Sequence, residues 1–449
     1  MNTSSPETPA NAEQLLSIVC SLARELRPSA QNLEHLGMNH GLEHDFGLDS
    51  LTRVELLVRI EREMGVRLAE TALAEAETPD DLLRLMAGKT QAGTPRQAET
   101  PSQTPSDIDH PPETIATLTE MLDWHAARHG ERTHIMLYIE EERTEEITYR
   151  LLLAEAQILA AGLLAQGLRT GDRVAIMLPT GRAFFAVFYG TIYAGCVPVP
   201  LYPPARPSQI EDHLRRIAGI VTNAGAVLFV TDDRTKLLGH LLRGQCASLQ
   251  SVATAAKLSR PTTQPALPRP AAQDIAFLQY TSGSTGNPKG VVLTHTNLLA
   301  NLRAMEHASG VTSADIFVSW LPLYHDMGLI GACMGSLSVG FRLVLMSPLA
   351  FLARPSRWLW TIHRHRATVS ATPNFTYELC ANKLDDRDLD GLDLSCWRLA
   401  YNGAEPVSPD TLNRFATRLT PHGFRPESMT PVYGLAESSV GLAFPPLGR

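Results

Sequence analysis

Short, continuously apolar segments recur along the chain and constrain its fold more than any other feature. Four of them are RVAIML, AVLFVT, IAFLQY and FRLVLM, at residues 173–178, 226–231, 275–280 and 341–346. Stretches with helical spacing separate them, such as the Ala- and Leu-rich segment 151–164. Strands that are apolar on both faces must be covered on both faces, which is typical of a parallel sheet between helices. The sequence therefore predicts an α/β domain.

The first 90 residues differ from the rest of the chain in charge. They carry 15 acidic and 8 basic residues, whereas the whole 449-residue chain carries 47 acidic and 39 basic ones. Residues 89–112 follow, rich in Pro, Thr, Gln and Ser and without an aromatic residue. This composition cannot bury a core and is typical of a linker. We therefore expect an acidic module at 12–90, a flexible linker at 91–112 and a larger domain at 113–449.

The acidic module has the pattern of a small all-helical domain. Apolar residues recur at helical spacing over Glu13–Leu26 and Ser50–Met64, and Pro79 opens a last short helix that runs to Met86. Ser50 falls at the N-cap of the second of these helices. Because a helix N-terminus attracts phosphate, Ser50 is a candidate attachment site for a phosphodiester. The alternative is that Ser50 acts only as a helix cap.

The residues around Ser50 resemble an acyl carrier protein. The features that carry the resemblance are GLDSL at 47–51, the amphipathic helix after it and the acidic body of the module. The resemblance covers residues 12–90 and implies a four-helix bundle in which Ser50 carries 4′-phosphopantetheine. It also implies two kinds of partner, a phosphopantetheinyl transferase and downstream enzymes of polyketide or lipid synthesis or acyltransferases.

A loop rich in glycine and hydroxyl groups follows the third apolar strand, and residues 280–290 read YTSGSTGNPKG. Glycines let the backbone approach a ligand closely, and N–H groups with hydroxyls can surround a polyphosphate. The loop is not a Walker A motif, because Pro288 stands where that motif has its second glycine. An ordinary Gly/Ser turn is the alternative, but it does not require the strand before the loop or the Pro-Lys-Gly at its end. The predicted phosphate-binding residues are Thr281, Ser282, Gly283, Ser284, Thr285, Gly286 and Lys289.

This loop resembles that of the adenylate-forming superfamily, which includes acyl-CoA synthetases, luciferases and nonribosomal peptide adenylation domains. Three further segments match in the superfamily's order, LPLYHDMG at 321–328, YNGAEP at 401–406 and YGLAE at 433–437. The resemblance implies an adenine and AMP site formed by Asn402, Gly403, Ala404, Glu405, Tyr433 and Gly434. For Tyr433, a core aromatic residue is the alternative.

The same resemblance assigns catalytic roles to three residues. Lys289 would neutralise charge on the ATP phosphates, His325 would line the junction of acyl group and phosphate, and Glu437 would bind Mg²⁺. For His325, a buried structural histidine is the alternative. Ala436 stands where the superfamily usually has threonine, so a hydroxyl contact to the AMP phosphate is lost at that position.

Within the superfamily the likeness is closest to fatty acyl-AMP ligases. It rests on YPPARP at 202–207, HDMGL at 325–329, TPNF at 372–375 and YGLAESS at 433–439. The resemblance implies a two-step reaction that takes a fatty acid, ATP and Mg²⁺ to acyl-AMP and then to an acyl thioester on a carrier. We also expect the insertion of this subfamily within residues 351–398.

Two other functions remain open from the sequence. An amino-acid-activating domain is one, because Asp326 stands where such enzymes keep an acid for the substrate amine. The other is a carrier joined to a nucleotide-binding domain that is catalytically incompetent. Only twelve residues follow Glu437, where the superfamily continues into a small C-terminal domain. We therefore expect a fragment of a longer protein, with its own turnover impaired.

Charge and cysteine pattern bear on partners and compartment. A formal net charge of -8 argues against a general nucleic-acid binder. Six cysteines are scattered without a CxxC pair, which favours reduced thiols and a cytoplasmic protein. The uncharged run 183–205 is long enough to raise the question of a transmembrane segment, but its prolines and glycines favour a buried helix, turn and strand.

Overall fold

The computed structural model describes residues 7–26, 35–42, 45–46, 48, 56, 59–60, 63–64, 66, 76–87, 107–139, 143–204, 210–261, 263, 265–281 and 289–447. The chain divides into two compact units. The first comprises Met1–Thr100 with the short segments Ala205–Pro207 and Leu349–Arg357. The second comprises the remaining residues.

The first unit has a helical core. Helix α1 spans Glu7–Leu26 and helix α2 spans Pro79–Ala87, so two of the three predicted helices are confirmed, with α1 beginning earlier than expected. One face of α1 is buried, and the core that it joins contains Leu15, Val19, Leu22, Phe46, Leu48, Leu56, Ile60, Leu82 and Met86. The predicted helix over Ser50–Met64 is described only at isolated positions, and Ser50 itself lies outside the described residues.

Hydrogen bonds fix the start of α2. The Thr78 hydroxyl accepts from the backbone N–H of Asp81 at 3.2 Å, while Asp81 Oδ2 accepts from the N–H of Thr78 at 3.0 Å. Burial opposes ionisation of Asp81, but these hydrogen bonds outweigh it and hold the pKa of Asp81 below its ordinary value. The reciprocal pairing satisfies N–H groups that have no partner within the helix.

The second unit alternates strands and helices. Its strands are β1 (Thr133–Tyr138), β2 (Thr144–Thr148), β3 (Arg173–Ile176), β4 (Val197–Pro200), β5 (Leu228–Thr231), β6 (Ser251–Thr254), β7 (Ile275–Thr281), β8 (Lys289–Thr294), β9 (Ile316–Ser319), β10 (Arg342–Leu345), β11 (Val369–Thr372), β12 (Leu399–Asn402) and β13 (Met429–Pro431). Its helices begin with α3 (Leu118–His129), α4 (Tyr149–Ala165), α5 (Arg182–Tyr193), α6 (Ile210–Ala224), α7 (Lys236–Gln245), α8 (Ala255–Leu258) and α9 (His295–Ser309).

Helices of the C-terminal half include one π-helix, which spans Met327–Met334 and leads directly into α10 (Gly335–Val339). The α-helices that follow along the chain are α11 (Pro348–Ala353), α12 (Ser356–His365), α13 (Asn374–Lys383) and α14 (Pro409–Leu419); the segment Leu349–Arg357 within α11 and α12 belongs to the first unit. Short 3₁₀ helices span Asp386–Leu389, Thr420–His422, Pro426–Ser428 and Ala436–Ser438.

Parallel strands form the two larger sheets of this unit. The seven-stranded sheet has the order β13-β12-β11-β9-β10-β1-β2, with β2 antiparallel at the edge. The four-stranded sheet has the order β4-β3-β5-β6 and is parallel throughout. The predicted α/β domain is therefore confirmed, and three of the four apolar segments lie in these sheets as β3, β5 and β10.

The strand β7 departs from the prediction of a parallel sheet. It pairs with β8 in an antiparallel ladder in which Thr281 faces Lys289. Seven residues separate these two, whereas a parallel connection needs a dozen or more. The short phosphate loop therefore dictates a hairpin.

The uncharged run 183–205 lies in the core. It forms most of α5 and all of β4, and both elements are buried along almost their whole length. This arrangement confirms the expected helix, turn and strand. Among the helices of the described segments, none combines the length and the apolar character that crossing a membrane requires.

Candidate active site

A cavity of about 530 Å³ lies in the second unit and collects residues from distant parts of the sequence. It is lined by segments that follow β12 and β13, by the end of the β7–β8 hairpin and by the π-helix. Ligands of open α/β sheets bind beyond the carboxyl ends of parallel strands. The residues predicted from sequence that line this cavity are Thr281, Lys289, His325, Gly403, Ala404, Tyr433, Gly434 and Glu437.

The β7–β8 hairpin presents a hydroxyl and an ammonium group side by side. Thr281 and Lys289 are cross-strand partners, and Lys289 is exposed. A hydrogen bond joins the hairpin to α6, because the Tyr280 hydroxyl donates to Asn223 Oδ1 at 2.6 Å. A Cβ at Gly290 would lie 2.8 Å from the Tyr280 ring, so only glycine fits beside it. The predicted residues Ser282, Gly283, Ser284, Thr285 and Gly286 lie outside the described residues.

His325 and Asp326 form an ion pair at the cavity wall. His325 Nδ1 lies 2.7 Å from Asp326 Oδ1, and half of the His325 side chain (51%) is exposed. Burial of the ring opposes the imidazolium, but the hydrogen bond and charge of Asp326 outweigh it, so the pKa of His325 is raised above its ordinary value. Asp326 also accepts from the backbone N–H of Met327 at 2.7 Å. His325 is therefore a half-exposed side chain paired with a carboxylate at the cavity wall, which differs from the alternative of a buried structural histidine.

Asn402 and Glu405 do not line the cavity but hydrogen-bond to residues at the start of α13. The side chain of Asn402 is fully buried, and its Nδ2 donates to Asn374 Oδ1 at 3.1 Å. Glu405 Oε1 accepts from the backbone N–H of Phe375 at 2.5 Å. Neither side chain lines the cavity, so both hold the turn at Gly403 and Ala404 in place.

The backbone around residues 404 and 434–440, beside the cavity, has an unusual conformation. Ala404, Ser439 and Val440 have φ angles of 69°, 63° and 114°, in the region that favours glycine. A Cβ at Gly434 would lie 1.6 Å from the carbonyl oxygen of Val440, so no side chain fits there. Strained backbone of this kind clusters at binding and catalytic sites.

Tyr433 and Glu437 present their side chains at the same end. Tyr433 is 64% exposed, and its backbone is fixed by an antiparallel bridge to Ala443. Such an exposed aromatic ring is not the core aromatic residue that was the alternative. Glu437 is exposed on the 3₁₀ helix Ala436–Ser438, while Ala436 is buried. This end of the cavity therefore offers a ring face, a carboxylate and the Lys289 ammonium group.

The cavity wall along the π-helix and α10 is apolar, and we call it the apolar arm; the sequence motifs identified only part of it. The π-helix and α10 present Met327, Gly331, Gly335 and Val339 to it, four residues apart in the sequence. A Cβ at Gly331 would meet no atom within 4 Å. Other apolar wall residues are Leu302, Met305, Phe317, Phe341, Val369 and Ala371.

The donor set suits a magnesium ion that is shared with a polyphosphate. Mg²⁺ prefers one or two carboxylates together with phosphate oxygens and water over a cage made only of protein ligands. Glu437 supplies a carboxylate and Thr281 a hydroxyl to the same cavity. Within the described ranges, no group of three or more His, Cys, Asp or Glu side chains could hold a metal ion alone.

Comparison with known protein families agrees with this geometry. Residues 122–449 match the family model of AMP-binding enzymes, and residues 13–86 match that of the phosphopantetheine attachment site. The chain belongs to the AMP-binding enzyme family and carries an N-terminal carrier domain. Both resemblances predicted from the sequence are thereby confirmed.

Individual relatives narrow the comparison. The chain is 36% identical over 336 residues to JamA, a medium-chain-fatty-acid–[acyl-carrier-protein] ligase of Moorena producens, covering 73% of this chain and 56% of JamA. It is 37% identical over 314 residues to a 4-hydroxyphenylalkanoate adenylyltransferase of Mycobacterium marinum, covering 68% and 50%. The chain spans about half the length of the curated relatives it matches.

A solved structure shares the fold. The fatty acyl-adenylate ligase of L. pneumophila in complex with acyl adenylate and pyrophosphate superimposes with a TM-score of 0.67 at 35% identity. The match covers 75% of this chain and 58% of that one.

Proposed function

We propose that this chain activates a fatty acid with ATP and passes the acyl group to a phosphopantetheine thiol. The observation that carries the proposal is the single cavity that joins a charged end, with Lys289 and Glu437, to an apolar arm along the π-helix. An alkyl chain fits the arm, and its carboxylate then lies beside the groups that suit a triphosphate. The names of JamA and of the L. pneumophila ligase support the same substrate class.

In the first step the carboxylate of the fatty acid attacks the α-phosphorus of ATP. An O–P bond forms to give acyl-AMP, and pyrophosphate leaves with the bonding electron pair. Lys289, Thr281 and the loop at Ser282–Gly286 hold the phosphates, and His325 donates to the oxygens at the reacting centre. Positioning and charge neutralisation carry phosphoryl chemistry of this kind. Mg²⁺, held through Glu437, supplies further neutralisation when bound.

The nucleotide base occupies the strained end of the cavity. Tyr433 offers a ring for stacking, and the backbone at Gly403, Ala404 and Gly434 approaches the base closely. Asn402 and Glu405 keep this backbone in place through their hydrogen bonds to Asn374 and Phe375. We therefore assign adenine and AMP binding to Gly403, Ala404, Tyr433 and Gly434, with Asn402 and Glu405 in a supporting role.

In the second step a thiol attacks the acyl carbonyl and AMP leaves. We propose that the thiol is that of 4′-phosphopantetheine on Ser50, in a four-helix carrier at residues 12–90 that a linker at 91–112 joins to the ligase at 113–449. A phosphopantetheinyl transferase attaches the arm. Enzymes of lipid or polyketide synthesis, or acyltransferases, then take the acyl group. All six cysteines are free thiols, which supports the cytoplasm as the compartment.

A fatty acid fits better than an amino acid. The Asp326 carboxylate already pairs through Oδ1 with His325 and with the N–H of Met327, so a substrate ammonium group would have to compete with His325 for it. The wall that follows it is apolar from Met327 to Val339.

The proposal is tested by fatty-acid-dependent ATP–pyrophosphate exchange. Because we expect the turnover of this chain to be impaired, the expected exchange is slow, but it depends on medium-chain fatty acids and does not occur with amino acids. The variant Lys289→Ala should lower the rate by about 10²–10³, because a preorganised charge contact is lost. Lys257→Ala is the matched control, since Lys257 is exposed on α8 and away from the cavity. Equal rates in the two variants would remove Lys289 from the phosphate site.

A further inference from the structure

A buried glutamine joins the β7–β8 hairpin to the segment that carries His325. Gln279 lies on β7, two residues before Thr281, and only 2% of it is exposed. Its Nε2 donates to the carbonyl oxygen of Tyr324 at 2.8 Å. Because a carbonyl oxygen only accepts, this contact fixes which end of the amide faces Tyr324. The side chain therefore connects two segments that both line the cavity, through Thr281 and through His325.

The peptide group before His325 is held at both of its ends. Its carbonyl oxygen, which belongs to Tyr324, accepts from Gln279, and its N–H donates to the carbonyl oxygen of Pro322 at 3.2 Å. The peptide bond is trans, so these two groups point in opposite directions and the two hydrogen bonds together fix its plane. This plane sets where the His325 side chain begins. Loss of the Gln279 contact would therefore free the peptide to turn and the imidazole to move with it.

Strand β7 fixes the orientation of Gln279 in turn. Side chains alternate between the two faces of a strand, so Gln279 and Thr281 share one face and Tyr280 points to the other. The Tyr280 hydroxyl donates to Asn223 and so anchors the strand to α6. One anchored strand thus places the Thr281 hydroxyl and the Gln279 amide at a fixed separation.

The oxygen of the same amide gives no reason of stability for a glutamine at this position. Gln279 Oε1 is buried and has no hydrogen-bond partner within the described part of the chain. An unpaired buried oxygen destabilises a fold. Methionine, which has a similar size, would remove this oxygen but would also lose the bond to Tyr324, so its two effects on stability oppose each other. The orientation of His325 is the property that requires the amide.

We propose that Gln279 is a positioning residue, which holds the His325 imidazole in register with the phosphate-binding groups of the hairpin. The inference rests on the proposed function, in which His325 donates to oxygens at the reacting centre, and it adds a residue that acts through His325. Gln279 itself does not line the cavity, so it does not touch the substrate. Its contribution is the placement of the donor while the carboxylate attacks the α-phosphorus, a step that a small misplacement slows.

The first test compares activity with stability. Gln279→Met nearly keeps the size of the side chain but removes the donor to Tyr324. We expect the kcat of fatty-acid-dependent ATP–pyrophosphate exchange to fall by about 10-fold or more, with the KM for ATP unchanged, since the phosphate-binding groups stay in place. The melting temperature should stay close to that of the unaltered chain. Gln273→Met is the matched control and should keep the full rate, because Gln273 is exposed before β7 and its Nε2 donates to Thr296.

A double-mutant cycle shows whether Gln279 acts through His325. In His325→Ala the imidazole is gone, so adding Gln279→Met should lower the exchange rate no further. A merely structural role in the hairpin would lower the rate by the same factor in both backgrounds, and it would raise the KM for ATP.

A second measurement does not require turnover. Asp326 raises the pKa of His325 through their ion pair, so this pKa reports how the imidazole is held. An NMR titration of the chain with labelled histidines gives the pKa, and the His325 signal is identified by its absence from His325→Ala. In Gln279→Met the pKa of His325 should fall toward its ordinary value, whereas Gln273→Met should leave it unchanged.

The inference fails if Gln279→Met keeps the exchange rate or the His325 pKa of the unaltered chain. It also fails if the effects of Gln279→Met and His325→Ala multiply, because Gln279 then acts by another route. If His325→Ala exchanges at the full rate, Gln279 cannot act through His325, although fatty-acid-dependent exchange still supports the proposed function. If the unaltered chain shows no exchange with any fatty acid, the proposed function fails, and the NMR titration still decides whether Gln279 positions His325.

Discussion

The pairing of His325 with Asp326 decides the charge at the reacting centre. Because Asp326 raises the pKa of His325, the imidazolium persists to higher pH than an isolated histidine would allow. In the proposed mechanism this cation donates to oxygens of the acyl carboxylate and the α-phosphate. The sequence identified both residues, but it gave Asp326 a role only in the alternative of an amino-acid-activating domain, since a sequence does not reveal that adjacent side chains pair.

The first prediction at this scale concerns pH dependence. Asp326→Asn removes the carboxylate that raises the pKa of His325, so the loss of adenylation activity with rising pH should begin at lower pH. The measurement is the pH profile of ATP–pyrophosphate exchange. Asp410→Asn, an exposed residue on α14, serves as the control and should keep the original profile. An unchanged profile in Asp326→Asn would exclude His325 as the titrating group.

Gly434 shows how a single residue can be identified from a motif and explained only by the structure. The motif YGLAE predicts a nucleotide contact at this position. The physical reason for glycine is the carbonyl oxygen of Val440, which lies where a Cβ would be. Val440 itself is a β-branched residue at φ 114°, a conformation that such residues rarely adopt. No pattern in a single sequence indicates this contact, because it depends on the tertiary path of residues 433–443.

Among the elements, the π-helix at Met327–Met334 shapes the apolar arm. The sequence MGLIGACM predicts an apolar, buried segment but not its helix type. The hydrogen bonds of a π-helix, between residues i and i+5, have no sequence pattern of their own. The structure places Gly331 on the cavity side with open space beside it. Room for the acyl chain therefore depends on the absence of a side chain at this position.

The second prediction follows from that space. Gly331→Leu should fill part of the arm, so exchange with long fatty acids should fall by about 10-fold or more while short ones remain active, because overpacking of an occupied site is costly. The assay compares saturated fatty acids of increasing length. Gly244→Leu is the control. A Cβ at Gly244 also meets no atom within 4 Å, but this glycine is exposed to solvent on α7 and does not line the cavity. Uniform loss at all lengths would indicate misfolding or a different path for the chain.

Prediction of elements succeeded where the local pattern decides the structure. The apolar segments of β3, β5 and β10 are strands because burial on both faces selects such residues. The prediction that β7 belongs to a parallel sheet was wrong, since the direction of pairing depends on the length of the loop that joins β7 to β8.

For the whole molecule, three aromatic rings form a buried stack that matters for stability. Tyr149 lies between His125 and His134, with centroid distances of 4.5 Å and 4.6 Å. Burial lowers the pKa of both histidines to about 3, and neighbouring cationic groups such as Arg132 act in the same direction. Both imidazoles are therefore neutral in the folded protein.

The third prediction is that stability falls with acidity. An unfolded histidine titrates at 6.5, so between pH 6.5 and 3 the unfolded chain binds more protons than the folded one. The contribution is complete above pH 6.5, and at pH 5 it is smaller by about 2 kcal/mol for each histidine. Melting temperatures measured from pH 7 to pH 5 should fall. In His134→Phe the fall in melting temperature should be smaller. An equal fall in this variant and in the unaltered protein would show that the lowered pKa of His134 is not a cause of the pH dependence.

The last prediction concerns the carrier and joins the two halves of the proposed reaction. Ser50 follows Gly47-Leu48-Asp49 at the predicted helix start, and residues 13–86 match the phosphopantetheine attachment model. Co-expression with a phosphopantetheinyl transferase should therefore add the mass of one arm, measured on the intact protein. Ser17→Ala, which removes an exposed serine of α1, should still accept the arm, whereas Ser50→Ala should not. Because the arm supplies the only acceptor thiol in the proposed second step, radiolabelled fatty acid should become protein-bound only in chains that carry it. Acylation of Ser50→Ala to the same extent would show that the acceptor lies elsewhere.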